Sequence, residues 1–339
     1  MDYQQENNVW VIGHKNPDTD SICAAICYAN LKNRLQDGFH YIPKRAGSIN
    51  EETKYVLQHF GVEPPEYAED AGAQVKDIAF RRTAGVSGHI SLKKAWELMK
   101  TENVMTLAVT SASDKLEGLI ITGDIAESYM DVYDNHILSR ARTQYKNIVE
   151  TLNGTLLAGN EHAYFLRGKV VVATGSRDVI EECIESDDLV IVGDRDETHI
   201  CALEENASCM VVTGGTQVSA QVLEMANRRD CVVIITPYDT FTAARLINQS
   251  MPIKYFMKKE NFVTFDIDDY VDEVREVMSK KRHRDFPVLD DQRRYLGMVS
   301  RRNLLNMHKK KLILVDHNEK SQAIDGIEGA EILEIIDHH

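Results

Sequence analysis

Residues Val9 to Asn33 read VWVIGHKNPDTDSICAAICYANLKN. The four apolar residues Val9 to Ile12 predict a buried strand. His14 to Asp20 then place an imidazole and two carboxylates around Asn16-Pro17, a composition that interrupts regular structure. From Ser21 to Leu35 the apolar positions recur at helical spacing, with Asp20 or Ser21 expected as the N-cap. The same order of features returns near the other end of the chain. Leu312 to Val315 and Ile332 to Ile336 are short apolar runs that end on Asp316 and Asp337, and they predict two more buried strands of one parallel sheet. The fold class expected is therefore α/β.

If these three strands are parallel neighbours, His14, Asp18, Asp20, Asp316, Asp337, His338 and His339 meet at the carboxyl edge of the sheet, where open α/β sheets bind ligands. So many carboxylates repel one another unless cations lie between them. Oxygen donors with one or two imidazoles suit octahedral ions, manganese before zinc, and a bridging carboxylate suits a pair of ions about 3.5 to 4 Å apart. The chemistry expected from the residues alone is metal-assisted hydrolysis of a phosphoanhydride or phosphoester. The bland alternative is a polar helix-capping loop and an exposed His-His pair.

An internal repeat lies between the two ends. At an offset of 179 residues, Ala95 to Met99 falls on Val274 to Met278, Leu107 to Val109 on Phe286 to Val288, and Glu117 to Ile120 on Leu296 to Val299. Each copy reads as a helix, a strand, a turn, a second strand and a second helix, too small to bury its apolar face alone. Between the copies, four runs rich in valine and isoleucine alternate with helical segments: Lys169 to Thr174, Asp188 to Gly193, Cys209 to Thr213 and Cys231 to Thr236. They predict a small α/β domain.

Composition excludes some function classes. The chain has 339 residues and a net charge of -14, a poor match to nucleic acid or an anionic membrane. No apolar run reaches the roughly 18 to 20 residues of a membrane span. The six cysteines show no CxxC pair and no disulfide spacing, so they are expected to be reduced and mostly in the core of a cytoplasmic protein.

GHKNPDTDSICAAICYANLKN, VDHNEKSQAI (Val315 to Ile324) and EILEIIDHH (Glu331 to His339) resemble, in this order, the three motifs of manganese-dependent family II inorganic pyrophosphatases, in the DHH phosphoesterase superfamily. The resemblance implies that His14 and Asp18 bind one Mn2+, that Asp316 bridges, and that Asp20 and His338 bind the other. It implies His339 as the catalytic group facing substrate and Asp337 as the residue that orients a histidine. Co2+ is a possible substitute, and Mg2+ accompanies the pyrophosphate. In the family the chain continues past this motif to a further aspartate ligand and a C-terminal domain that holds pyrophosphate. The polypeptide ending at His339 is accordingly expected to be inactive or weak alone.

The repeat copies resemble CBS domains, and the domain between them, with Asp194-Arg195 and Thr213-Gly214-Gly215, resembles a DRTGG domain. The implied order is residues 1–67 and 308–339 for the DHH domain, 68–130 and 251–307 for the CBS domains, and 131–250 for the DRTGG domain. By resemblance AMP and ADP inhibit, ATP or diadenosine polyphosphates activate, and the protein is a homodimer. Nucleotide contacts are expected at Arg282, His283, Ser300 and Asn303, with Asp124 the counterpart in the first copy. Residues 280–311 hold eleven basic side chains against three acidic ones, in an otherwise acidic chain. Gly214-Gly215 reads as a tight turn more readily than as a phosphate cradle. Two alternatives differ in class: a catalytically inactive adenylate sensor, and a DHH phosphodiesterase acting on short oligonucleotides or cyclic dinucleotides.

Overall fold

The structure is a computed structural model that describes residues 7–130, 134–175, 177–306 and 309–338. The chain divides into two compact units. One comprises Met1–Thr83, Val263–Gln292 and Leu296–His339, and the other Ala84–Phe262 and Arg293–Tyr295.

In the first unit, both ends of the chain build one five-stranded sheet. Its strand order is Glu331–Ile336, Lys311–Val315, β1 (Asn8–Ile12), β2 (His40–Arg45) and β3 (Glu66–Tyr67), with every neighbouring pair parallel. The three expected strands are adjacent. Ile12 is level with Leu314 and Val315 with Ile336, so all three strands finish at the same edge. Alternate residues fill two cores, as the period of 2 along a strand requires: Ile12, Leu312 and Leu314 on one face, Val9, Val11, Ile313 and Val315 on the other. Ala25 and Ala29 of α1 (Thr19–Leu35) pack on the second face. The Glu331–Ile336 strand departs from expectation. It is the edge of the sheet, and Ile332, Ile335 and Ile336 are largely exposed rather than buried.

Apart from Tyr295, the same unit holds a second, three-stranded sheet of Phe265–Asp266, Asp285–Leu289 and Tyr295–Ser300 with the helix Val271–Lys280. Val75, Ile78 and Phe80, which precede the first repeat copy, pack into this core beside Phe265, Phe286 and Val299. Arg81 pairs with Met298. Gly297 has φ +157°, and a Cβ there would fall 2.3 Å from the Arg81 carbonyl oxygen, so only glycine fits this approach.

The second unit contains the first repeat copy, a hairpin of Thr106–Thr110 and Leu116–Ile121 with the helix Leu92–Thr101. Val86 takes the lead-in position beside Val109, as Phe265 does beside Val288, and residues that precede the second copy pair with other positions of the first: Ser91 bridges Pro252 and Leu119 bridges Lys258. Ser91 and Tyr270, the partner of Gln74, are 179 positions apart, as are Leu119 and Met298. Each copy is thus completed by the segment that leads into the other. The copies differ after their last strand. Thr122–Met130 is a helix, whereas Asn303–Asn306 is a single 3-10 turn where a second helix is expected.

The four runs rich in valine and isoleucine form parallel strands, Val170–Val172, Leu189–Val192, Cys209–Val212 and Val232–Ile235, and Thr155–Ala158 adds antiparallel at the edge. Asp188 stitches this sheet together. It is buried, and its two carboxylate oxygens accept from the amides of Lys169 at 2.8 Å and Glu185 at 2.9 Å. Asp188→Ala leaves both donors unmet and is expected to cost about 2 kcal/mol of stability, read from urea unfolding. Cys201, Cys209 and Cys231 are core residues, and burial raises all three thiol pKa values, Cys231 to about 12. Cys27 and Cys183 are exposed, contrary to expectation, because each lies on the outward side of its helix. All six are free thiols.

Candidate metal centre

The chain leaves β1 at Gly13, and α1 returns so closely over this position that a Cβ on Gly13 would lie 1.9 Å from Ser21 Oγ. The helix starts earlier than the sequence suggests. Its N-cap is Asp18, in extended conformation, whose Oδ1 accepts from the Ser21 amide at 3.0 Å, so neither Asp20 nor Ser21 is the cap. The bond satisfies one of the free amides of the first turn and fixes the Asp18 carboxylate beside the loop. Backbone contacts fix the loop from two other sides. The Lys15 amide donates to the Gln322 carbonyl at 2.8 Å, and a Cβ on Gly47 would fall 2.2 Å from Lys15 O. Gly47→Ala is expected to displace the loop and weaken divalent-ion binding about tenfold, measured by calorimetric titration with Mn2+.

Asp316 follows the Lys311–Val315 strand with φ +59° and is nearly buried, and its amide donates to Ile336 O at 2.8 Å. The left-handed backbone turns its side chain across the edge of the sheet. Asp316 Oδ2 is 3.4 Å from His14 Nε2, and Oδ1 is 3.2 Å from His338 Nε2. His14 Nε2 is also 3.9 Å from Asp18 Oδ1, and His338 Nε2 is 3.5 Å from Asp20 Oδ2. Two donor groups result, His14/Asp18/Asp316 and Asp20/Asp316/His338, each with ligand atoms within 4.8 Å of one another. They share one carboxylate, which turns a different oxygen to each group.

This donor set fits a pair of divalent ions. Each group offers two carboxylates and one imidazole nitrogen, a mixture that suits manganese or cobalt better than a thiolate-seeking ion. The sequence-expected ligands His14, Asp18, Asp20, Asp316 and His338 are all brought together. Asp337 Oδ1 accepts from the backbone amide of His338 at 2.9 Å. His339 lies outside the described residues.

Other residues escaped the sequence reading. His317 is buried; its Nδ1 lies 2.9 Å from Val315 O and its ring stands edge-on to His14, centroids 6.4 Å apart. Its signal was only its place between Asp316 and Asn318. Lys15, Asn16, Ser321 and Gln322 line a cleft with the ligand residues, and their chemistry carries no mark in one sequence.

The residues expected to meet nucleotide are described unit by unit. In the first, Asn303 Oδ1 accepts from both the amide and the hydroxyl of Ser300 at 2.8 Å, and its Nδ2 donates to Ala79 O at 2.8 Å. Arg282 and His283 are exposed, and the His283 ring stands edge-on to Phe286. In the second unit, Asp124 Oδ2 accepts from the Ile121 amide at 2.9 Å, and Oδ1 is 3.3 Å from Lys258 Nζ. The amides of Gly214 and Gly215 donate to Tyr238 O and Thr236 O, which makes that segment a closed turn with its donors used.

Known proteins align with this arrangement. Residues 147–250 match the DRTGG domain family and residues 253–309 the CBS domain family. The chain is 41% identical to the "Cobalt-dependent inorganic pyrophosphatase" of Clostridium perfringens and 37% identical to the "Probable manganese-dependent inorganic pyrophosphatase" of Thermotoga maritima. Each match covers 98% of this chain and 60% of the relative, so the chain spans 60% of the length of these curated relatives. Among solved structures, the CBS and DRTGG domains of the regulatory region of the Clostridium perfringens pyrophosphatase, complexed with its activator diadenosine tetraphosphate, align with a TM-score of 0.65 and 36% identity. That alignment covers 68% of this chain and 100% of the other. On these matches the chain belongs to the family of manganese- or cobalt-dependent inorganic pyrophosphatases that carry CBS and DRTGG domains.

Proposed function

We propose that this chain carries the two-metal centre of an enzyme that hydrolyses inorganic pyrophosphate to two phosphates, under the control of adenine nucleotides. The observation that carries this reading is the Asp316 carboxylate, with one oxygen toward His14 and the other toward His338. His14, Asp18 and Asp316 would hold one Mn2+ or Co2+, and Asp20, Asp316 and His338 the other. Bound there, such a pair supplies a hydroxide from water at neutral pH and neutralises phosphoryl oxygens.

The chain's own residues do the positioning. The cap bond of Asp18 and the Lys15–Gln322 backbone bond fix the first ligand loop. Near-complete burial of Asp316 keeps bulk water from competing for its oxygens. The exposed Lys15 in the same cleft offers a cation to an anionic substrate, and Mg2+ accompanies the pyrophosphate. His339 is proposed to face substrate and supply a proton or hydrogen bond to the leaving phosphate.

Regulation is assigned to the repeat copies, with residues 68–130 and 251–307 as CBS domains, 131–250 as the DRTGG domain, and 1–67 with 308–339 as the DHH domain. AMP and ADP lower activity, and ATP or a diadenosine polyphosphate raises it. The working unit is a cytoplasmic homodimer. One fact agrees with nucleotide control: the similar regulatory region was solved with diadenosine tetraphosphate. Among the described residues no helix is long and apolar enough to cross a membrane.

The test is a Mn2+ titration of the 339-residue chain followed by phosphate release from pyrophosphate, with and without AMP. Expected results are Mn2+ binding and phosphate release that is weak, yet faster from pyrophosphate than cleavage of a cyclic dinucleotide and lower with AMP. Faster dinucleotide cleavage would replace the substrate with a phosphodiester. Failure to bind Mn2+ would remove the two-metal reading.

A further inference from the structure

The two repeat copies end their first helix in different ways. In the first copy, Asn103 has φ +51°, and the Val104 amide donates to Met99 O at 2.9 Å, so the backbone closes its own helix end. In the second copy the equivalent carbonyl is Met278 O, and the residue at the Asn103 position is Arg282. Here the chain leaves the helix extended, with Lys281 at φ -112° and ψ 145°. The Lys281 amide still donates to Met278 O, at 3.3 Å, and Arg301 adds to this end. Its Nη2 donates to the carbonyls of Met278 and Lys281, and its Nη1 donates to His283 O at 2.8 Å. Its guanidinium lies 5.8 Å from the centroid of the buried Phe286 ring. The first copy has Thr122 at this position, which can make no such span.

A planar guanidinium is suited to gathering several acceptors at once, and the cationic group also favours a helix C-terminus. The result is an extended segment from Lys281 to Arg284 whose four side chains are all exposed, and three of them are cationic. Concentrating charge this way is unfavourable without an anion, since like charges repel. We propose that Arg301 is a positioning residue for an anionic nucleotide: by tying the carbonyls of Met278, Lys281 and His283 together, it holds Arg282 and His283 toward a ligand's phosphate and base. This inference rests on the nucleotide regulation proposed above. It also gives the second copy a stronger phosphate site than the first.

Arg301 acts through Arg282, and that makes the idea testable by a double-mutant cycle. AMP affinity is measured by calorimetry on the full chain and on Arg301→Gln, Arg282→Gln and the double variant, with Mn2+ affinity and the thermal midpoint measured beside it. Each single variant is expected to lose about tenfold or more in AMP affinity at unchanged Mn2+ affinity. The double variant should lose less than the two single losses combined, because part of the Arg301 effect runs through Arg282, a non-additivity that a merely stabilising helix cap would not produce. Arg301→Lys, which keeps the charge but cannot span three carbonyls, should lose as much as the glutamine variant and serves if that variant folds poorly. Unchanged AMP binding in both Arg301 variants, or fully additive losses, sinks the inference while leaving nucleotide regulation in place. Absence of AMP binding by the unmodified chain overturns the regulatory reading itself.

Discussion

Asp316→Asn is expected to abolish tight binding of Mn2+ at both positions, with affinity falling by at least about 100-fold, since losing even an outer partner of a metal ligand costs 10- to 100-fold. The variant keeps the shape of the side chain but removes the charge that both imidazoles face at 3.2 and 3.4 Å. It also keeps the backbone. Asp316 has φ +59°, and asparagine is among the few residues that adopt this region readily, so the fold should survive. Electron paramagnetic resonance of added Mn2+ gives the readout directly. If one of two ions remained tightly bound, Asp316 would not be shared, and the two donor groups would have to be independent sites. Asp18→Asn and His338→Ala, by contrast, should each weaken one ion more than the other, because each residue belongs to only one group.

Gly13→Ala should damage both the fold and the centre. The added Cβ would sit 1.9 Å from Ser21 Oγ, 3.1 Å from Ser21 Cβ and 3.2 Å from Ser21 O. Overpacking of this kind costs about 1 to 3 kcal/mol, and here α1 cannot retreat without moving Asp18, its own N-cap and a proposed metal ligand. Loss of thermal stability should therefore come with loss of Mn2+ affinity. The Ser21 hydroxyl is buried without a hydrogen-bond partner among the described residues, so Ser21→Ala alone should be nearly neutral. Combined with Gly13→Ala it should recover part of the loss, leaving the 3.1 and 3.2 Å contacts. If Ser21→Ala gave no relief, the close approach would not be the reason for glycine at this position.

The candidate centre was legible because the residues proposed as its ligands sit in three short segments, each directly after an apolar run. Once Val9 to Ile12, Leu312 to Val315 and Ile332 to Ile336 are parallel neighbours, His14, Asp316 and Asp337 must arrive at one edge. Less was legible where a residue's role depends on a distant partner. His317 and Gln322 shape the loop through contacts with His14 and Lys15, some 300 residues away in the chain. Arg301 looked like one more member of a basic stretch, although its donors are spent on three carbonyls.

The sequence by itself determined that three strands share one parallel sheet, which His and Asp residues reach its edge, and the internal repeat, because strand and helix periodicities and the positions of His and Asp are local properties. Tertiary structure alone decided three other matters. Asp18 caps α1, since the helix must start where the loop turns over Gly13. The last strand is an exposed edge, since burial depends on which neighbours a strand has and not on its own apolarity. Each repeat copy is completed by the segment leading into the other, since a helix and two strands cannot bury their faces until a strand from elsewhere in the chain covers them.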